Sequence, residues 1–314
     1  MMNNDWLSKD TTTAMKGFAI LLVIIAHVGH DGFGIRPFVP LGCFGVAIFL
    51  ILSGYGLMES YHRNGLTGFW KKRLLRILTP YLIWVGFYSL YRVLLHQPLP
   101  LGHIRYWFVE YIILWYISFY FVLRFSPKYK WPVMLVIAFL LFWFNSCLQA
   151  QQSLSFLIGI WISENKERII NTKPKTLLLI GCSFLIIGVF AFGIRQWFMI
   201  IDNGIPITEI KDLFTTQGAD NDDFTRKLIS LFSKTPIALF LIALMNYIHV
   251  GKSRWAYTIG IVAYELYLVH MPFYPYICNS WFNLLVFIVE TIIFTYLLYV
   301  CDKMVMKQIS KPRK

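Results

Sequence analysis

Ten stretches of mostly apolar residues, most of them close to a bilayer's thickness as helices, divide this chain. They fall at roughly 14–33, 41–58, 74–95, 104–124, 131–150, 153–163, 174–194, 226–248, 255–274 and 282–302. A helix needs about 20 such residues to cross the hydrocarbon. Barrel strands alternate and run about ten residues, so these stretches read as helices. The sixth is short; it either tilts or borrows from Gln149-Ala150-Gln151-Gln152. The expected fold is all-α: a polytopic bundle of about ten transmembrane helices in one membrane domain spanning 1–314.

Composition excludes the main alternatives. Of 314 residues, 57% are apolar and 14% charged, whereas a soluble domain carries about a quarter charged. A soluble globular enzyme lacks its polar skin at that level, and a disordered chain would be far less apolar. The five cysteines show no metal or redox spacing. The first apolar run follows Lys16 with no small-residue cleavage site, so it reads as a retained span.

The 29 Lys and Arg against 16 Asp and Glu give a net charge of +13. The cations follow every second span: Arg63 to Arg76, Arg124 to Lys130, Lys166 to Lys175, Lys252 and Arg254, then Lys303 to Lys314. The alternate connections are poor in them. Residues 275–281 carry none, and 195–225 holds Asp202, Glu209, Asp212, Asp220, Asp222 and Asp223. The positive-inside rule then puts both termini in the cytoplasm of a multi-pass plasma-membrane protein. The excess charge marks topology and lipid phosphate contact rather than nucleic acid. The outer loop at about 195–225 reads as a solvated connection, a lid or a contact surface.

Ionisable groups inside such spans are costly and mark functional sites by default. In the first span, Lys16 and His27 lie eleven positions apart, close to three turns, so they share a face about 16 Å apart. An imidazole there suits general-base work on a hydroxyl, or a hydrogen bond to a neighbouring helix. His30 and Asp31 read as an interfacial pair. His27 and His30 at i, i+3 lack an HExxH or a second ligand cluster, so no metal is expected. In the second span, Ser53-Gly54-Tyr55-Gly56 interrupts an apolar run, as a tight helix crossing or a ligand approach. Arg73 and Arg76 share a face at i, i+3 in a basic amphipathic run that Pro80 bends or begins. They suit lipid phosphate or the pyrophosphate of a cytosolic coenzyme. In the ninth span, Glu265 must face the bundle, while Tyr267 and His270 share a face. Glu110 and Glu290 are further acids inside spans.

In order along the chain, these segments resemble the acyltransferase-3 family of integral membrane acyltransferases. The family opens with Arg or Lys, ten residues, then His, matched by Lys16 and His27. Phe49 to Tyr55 matches a Phe-Phe-x-x-Ser-Gly-Phe/Tyr-like segment, with Leu50 for the second aromatic. Arg73, Arg76, Ile77, Pro80 and Tyr81 match a basic run ending in Pro-x-Tyr. Trp107-Phe108, Phe156 to Gly159, and Tyr264 to His270 follow, with Ala263 in place of Ser.

The resemblance implies transfer of an acyl group, usually acetyl from acetyl-CoA, to a hydroxyl of an extracytoplasmic glycan or lipid-linked sugar. His27 would be the base. Tyr267, His270 or a backbone N–H of the second span would hold the oxyanion, with Glu265 beside them in the catalytic set. Lys16, Arg73 and Arg76, with Ser53 and Tyr55, would hold the coenzyme. Some members carry a fused outer esterase-like domain. None follows the tenth span here, so transfer is expected to be direct or to need a separate outer transferase partner. The alternative is a glycan or lipid transporter with His27, Glu265 and Glu110 as a proton relay.

Overall fold

The computed structural model describes residues 7–97, 106–203 and 224–309. Among the described residues the chain is helical, with no strand. Helix α1 (Lys9–His27) begins earlier than hydropathy suggests, because Ser8 caps it by accepting the Thr11 N–H at 3.2 Å. It ends in a π-helical turn over Val28–Gly32. Long helices α2 (Val39–Asn64), α3 (Phe69–Leu94), α4 (Trp107–Phe125) and α5 (Lys130–Phe144) follow. Then come the short α6 (Cys147–Ala150), α7 (Ser155–Glu164) and α8 (Lys166–Asn171). The chain continues through α9 (Pro174–Asn203), α10 (Phe224–Tyr247), α11 (Arg254–Ile261), α12 (Ala263–Phe273) and α13 (Trp281–Ile309).

Among the described residues, 8 helical stretches are long and apolar enough to cross a membrane. They coincide with eight of the ten expected spans. The sixth is α7, of 10 residues. The ninth is α11 and α12, broken at Val262, whose ψ of 16° leaves the helical region. The β-branched pair Ile261-Val262 at the break has low helix propensity. Glu265 falls in the first turn of α12, where unpaired N–H groups and the helix dipole favour an acid. Pro80 does not begin α3. The helix starts at Phe69 and runs through it, and the Tyr264 hydroxyl donates to the Ile77 carbonyl in the turn the proline loosens. Most of the expected outer loop, 204–223, lies outside the described residues, and α9 extends into its first part.

The middle of the bundle is α2, flanked by α1, α7 and α10. One apolar core gathers Trp84, Trp115, Phe119 and Phe156 from α3, α4 and α7. A second gathers Met15, Ala47, Ile48 and Ala238 from α1, α2 and α10. Large apolar side chains such as Phe144, Phe190 and Trp281 stand exposed on α5, α9 and α13, the faces that lipid would solvate. The Ser-Gly-Tyr-Gly interruption is a helix crossing. A Cβ on Gly54 would overlap the Phe156 carbonyl, and one on Gly159 would overlap the Ile51 carbonyl. The two backbones meet where neither helix has a side chain.

Candidate functional site

The π-helical turn closing α1, wider than an α-helical one, carries Asp31 against His27. His27 Nδ1 lies 2.9 Å from Asp31 Oδ2, and His30 Nδ1 lies 2.8 Å from Asp31 Oδ1. Asp31 is therefore no mere interfacial partner of His30; one carboxylate holds both rings. A carboxylate only accepts, so Nδ1 of His27 carries a proton, and in the neutral ring Nε2 is the acceptor. The other side of the His27 ring stacks on Tyr274 at 4.5 Å. The imidazole is fixed by a hydrogen bond at one edge and a flat ring at one face.

His27 opens onto a cavity of about 230 Å³, lined also by Asp31, Cys43, Trp107, Gln152 and Tyr267. The Tyr267 hydroxyl is buried there, near the Phe108 backbone, and makes no hydrogen bond of good geometry among the described residues. His270 is fully buried, with its ring 5.5 Å from that of His27. Its Nδ1 donates to the Leu266 carbonyl at 2.9 Å, and its Nε2 has no partner among the described residues. That tautomer makes Nε2 an acceptor. Of the two, only Tyr267 offers a proton to an oxyanion while His270 is neutral. Trp84 Nε1 donates to the Tyr106 hydroxyl at 2.8 Å, and that hydroxyl donates to the Leu268 carbonyl at 2.8 Å. This relay locks α12 against α3 and sets the Tyr267–His270 face.

Three turns back along α1 from His27, Lys16 carries the second group. The half-buried Lys16 senses the charges of Arg76 and Arg73. Tyr116 is within interaction range of Arg73, Ser53 and Arg76. Among the described residues, none of Lys16, Arg73 and Arg76 forms an ion pair. Three converging cations, with Asp302 as an electrostatic neighbour of Arg76 but no ion pair among the described residues, fit a polyanion such as the diphosphate of a coenzyme. Arg73 and Arg76 therefore approach Lys16 in space, and Ser53 joins them through Tyr116.

Two expected residues stand elsewhere. Tyr55 is buried and donates to the Leu7 carbonyl at 3.3 Å, with Lys166 over its ring at 5.9 Å. Glu265 is not beside His27. Its charged neighbours are Asp302 and Lys303, and Asp302 in turn senses Arg76. The helix break places it at the basic end, because it belongs to the start of α12 rather than to the middle of a span. Glu110 is exposed, and Glu290 accepts from the Tyr91 hydroxyl at 3.4 Å. Of the relay residues, Glu110 is an electrostatic neighbour of Tyr267 on the His27 cavity wall, while Glu265 stands apart at the basic end.

A family model described as an acyltransferase domain, that of acyltransferase-3, matches residues 12–301, from α1 into α13. The chain belongs to the acyltransferase-3 family. No curated protein and no solved structure is significantly similar to it. Membership makes it an acyltransferase with several membrane-spanning helices. Within this acyltransferase-3 chain, sequence reasoning missed Asp31 as a partner of His27, although i, i+4 spacing was in view. It also missed Tyr274, Cys43 and Gln152, which meet His27 or its cavity only through folding.

Proposed function

We propose that this chain moves an acyl group, acetyl in the first instance, from cytosolic acetyl-CoA to a hydroxyl of an extracytoplasmic glycan or lipid-linked sugar, as an O-acyltransferase. The observation that carries the reading is a single helix with an oriented histidine in a cavity at its end and, three turns back along it, a lysine that meets two arginines outside any ion pair among the described residues. About 16 Å along α1 separates Lys16 from His27, a span that the pantetheine arm can bridge. Lys16, Arg73 and Arg76 would hold the diphosphate, and the thioester would reach the His27 cavity.

His27 Nε2 then takes the proton of the acceptor hydroxyl as its oxygen attacks the thioester carbonyl. Asp31 holds the imidazolium that forms. The Tyr267 hydroxyl donates to the carbonyl oxygen as it gains charge. The C–S bond breaks, and His27 returns its proton to the leaving thiolate. His27 is thus a general base and then a general acid, with no net proton change on the chain.

Acetyl-CoA cleavage by the purified protein in detergent, with and without candidate sugars, tests the reading. Cleavage that rises with a sugar acceptor, with acetyl recovered on that sugar, is the expected result. No cleavage with any acceptor, by protein that remains folded, would sink it. Lys16→Met is expected to raise KM for acetyl-CoA about tenfold, the cost of one charge-assisted contact. Lys16→Arg keeps the charge and should recover most of it, with kcat little changed in both. Asp31→Asn should act on kcat instead. It removes the charge that holds the imidazolium and lets an amide N–H face His27 Nδ1, which favours the wrong tautomer, and a fall of about 10²-fold in kcat at unchanged KM is expected.

A further inference from the structure

Two cations lie in the body of the bundle where the proposed reaction makes no use of them. Lys234, in the middle of α10, is 3% exposed. Its ammonium lies 4.6 Å from the Phe192 ring centroid and 5.3 Å from that of Phe44. Arg195 on α9 donates from Nε to Ser230 Oγ at 2.9 Å and from a terminal nitrogen to Gln196 at 2.8 Å. The two cations sense each other. Among the described residues neither forms an ion pair.

Taking a cation out of water costs several kcal/mol unless an anion meets it. Ring faces and a hydroxyl offset only part of that. Neighbouring positive charges add repulsion, so the cluster is most stable with a negative group in it. Neither cation is in the lining of the outer cavity, and neutral Cys43 and Gln152 form the wall on that side. Cys43 lines the cavity and is an electrostatic neighbour of both Lys234 and Arg195. Gln152, also on the wall, donates to the Cys43 carbonyl at 3.0 Å. Phe44, next in sequence, carries the Lys234 ammonium on its face.

We infer that Lys234 and Arg195 bind an anionic group, a carboxylate or a phosphate monoester, on the ligand that enters the His27 cavity, so that the acceptor is an acidic sugar rather than a neutral one. The acyltransferase reading enters only in calling that ligand the acceptor; binding itself needs no acyl-CoA.

The test is thermal unfolding of the purified full chain in detergent with glucose, glucuronate or glucose 6-phosphate, which differ at one carbon. A rise of about 2–4 °C at saturation is expected with either or both of the charged sugars and not with glucose. Whichever responds identifies the anion. Lys234→Met should remove the rise and weaken binding about tenfold, and Lys234→Arg should keep it. Because Met removes an uncompensated buried charge, the Met variant without sugar should unfold at the wild-type temperature or above. Equal shifts with glucose, a charged-sugar shift that survives Lys234→Met, or no shift with either charged sugar would overturn the inference. So would a Lys234-dependent shift confined to added phosphatidylglycerol, which would make the site a lipid headgroup contact. Charged-sugar binding without any acetyl-CoA cleavage would refute the acyltransfer reaction and leave the anion site standing.

Discussion

His27→Ala is expected to lower acyl transfer by about 10³-fold while leaving the protein folded. Among the described residues lining the outer cavity, the His27 imidazole is the one hydrogen-bonded at one nitrogen, stacked at one face and open at the other nitrogen. General acid–base catalysis by a positioned side chain contributes about 10²- to 10⁴-fold, and the Asp31 contact places His27 well within that range. The fold should tolerate the change. The ring is at the cavity edge, its side chain 28% exposed, and losing its stack on Tyr274 costs about 1 kcal/mol. Two measurements decide the matter together: acetyl transfer to sugar, and the unfolding temperature in detergent. Near-wild-type transfer by a folded variant would remove His27 from the mechanism. His27→Gln is a useful companion, since its amide can still meet Asp31 but cannot take a proton.

The largest stability effect is expected at the crossing of α2 and α7. Gly159→Val should cost more than about 3 kcal/mol and strongly reduce the yield of monodisperse protein. The new Cβ would overlap the Ile51 carbonyl and crowd the Tyr55 backbone nitrogen. Backbone on α2 cannot yield as a flexible side-chain tip could. Gly54→Val should behave alike, because its Cβ meets the Phe156 carbonyl and the Ile160 nitrogen on α7. Gly56 supplies the internal control. It sits two residues along the same helix with nothing within 4 Å of an added Cβ. Gly56→Ala should therefore be neutral or stabilise by up to about 1 kcal/mol, the ordinary helix preference. A Gly159→Val protein with wild-type unfolding temperature would show that the crossing is not close-packed.

The individual residues show how far a one-dimensional reading carries. Hydropathy finds eight long helices, because crossing hydrocarbon demands an unbroken apolar run and leaves that run visible. It treats 255–274 as one span, because the break at Val262 changes backbone direction without changing hydropathy. That single error carries Glu265 from the basic end of the bundle to its middle. Lys16 and His27 are legible because eleven residues on a helix is a fixed rise and nearly whole turns. Asp31 is half legible. Its spacing from His27 is helical, but only the π-helical turn makes one carboxylate serve both His27 and His30. Tyr274 is not legible at all. It follows α12, far along the chain from His27, and reaches it through the packing of α12 on α1.

By itself, the sequence determined that the chain is an all-helical membrane protein, which helices it has to within a break and a short segment, and that Lys16 and His27 lie about three turns apart on one face of the first. Those properties are local: they follow from the hydrocarbon's length, the cost of unpaired backbone groups and the fixed helical rise. Only the tertiary structure decided which polar groups meet. It joined Asp31 and Tyr274 to His27, and Arg73 and Arg76 to Lys16. It moved Glu265 and Tyr55 away from the set, and brought Lys234 to Arg195 behind Cys43. Those meetings depend on which faces of distant helices pack together. Close backbone approaches such as that of Gly54 and Gly159 fix them, and no local preference along the chain encodes that geometry.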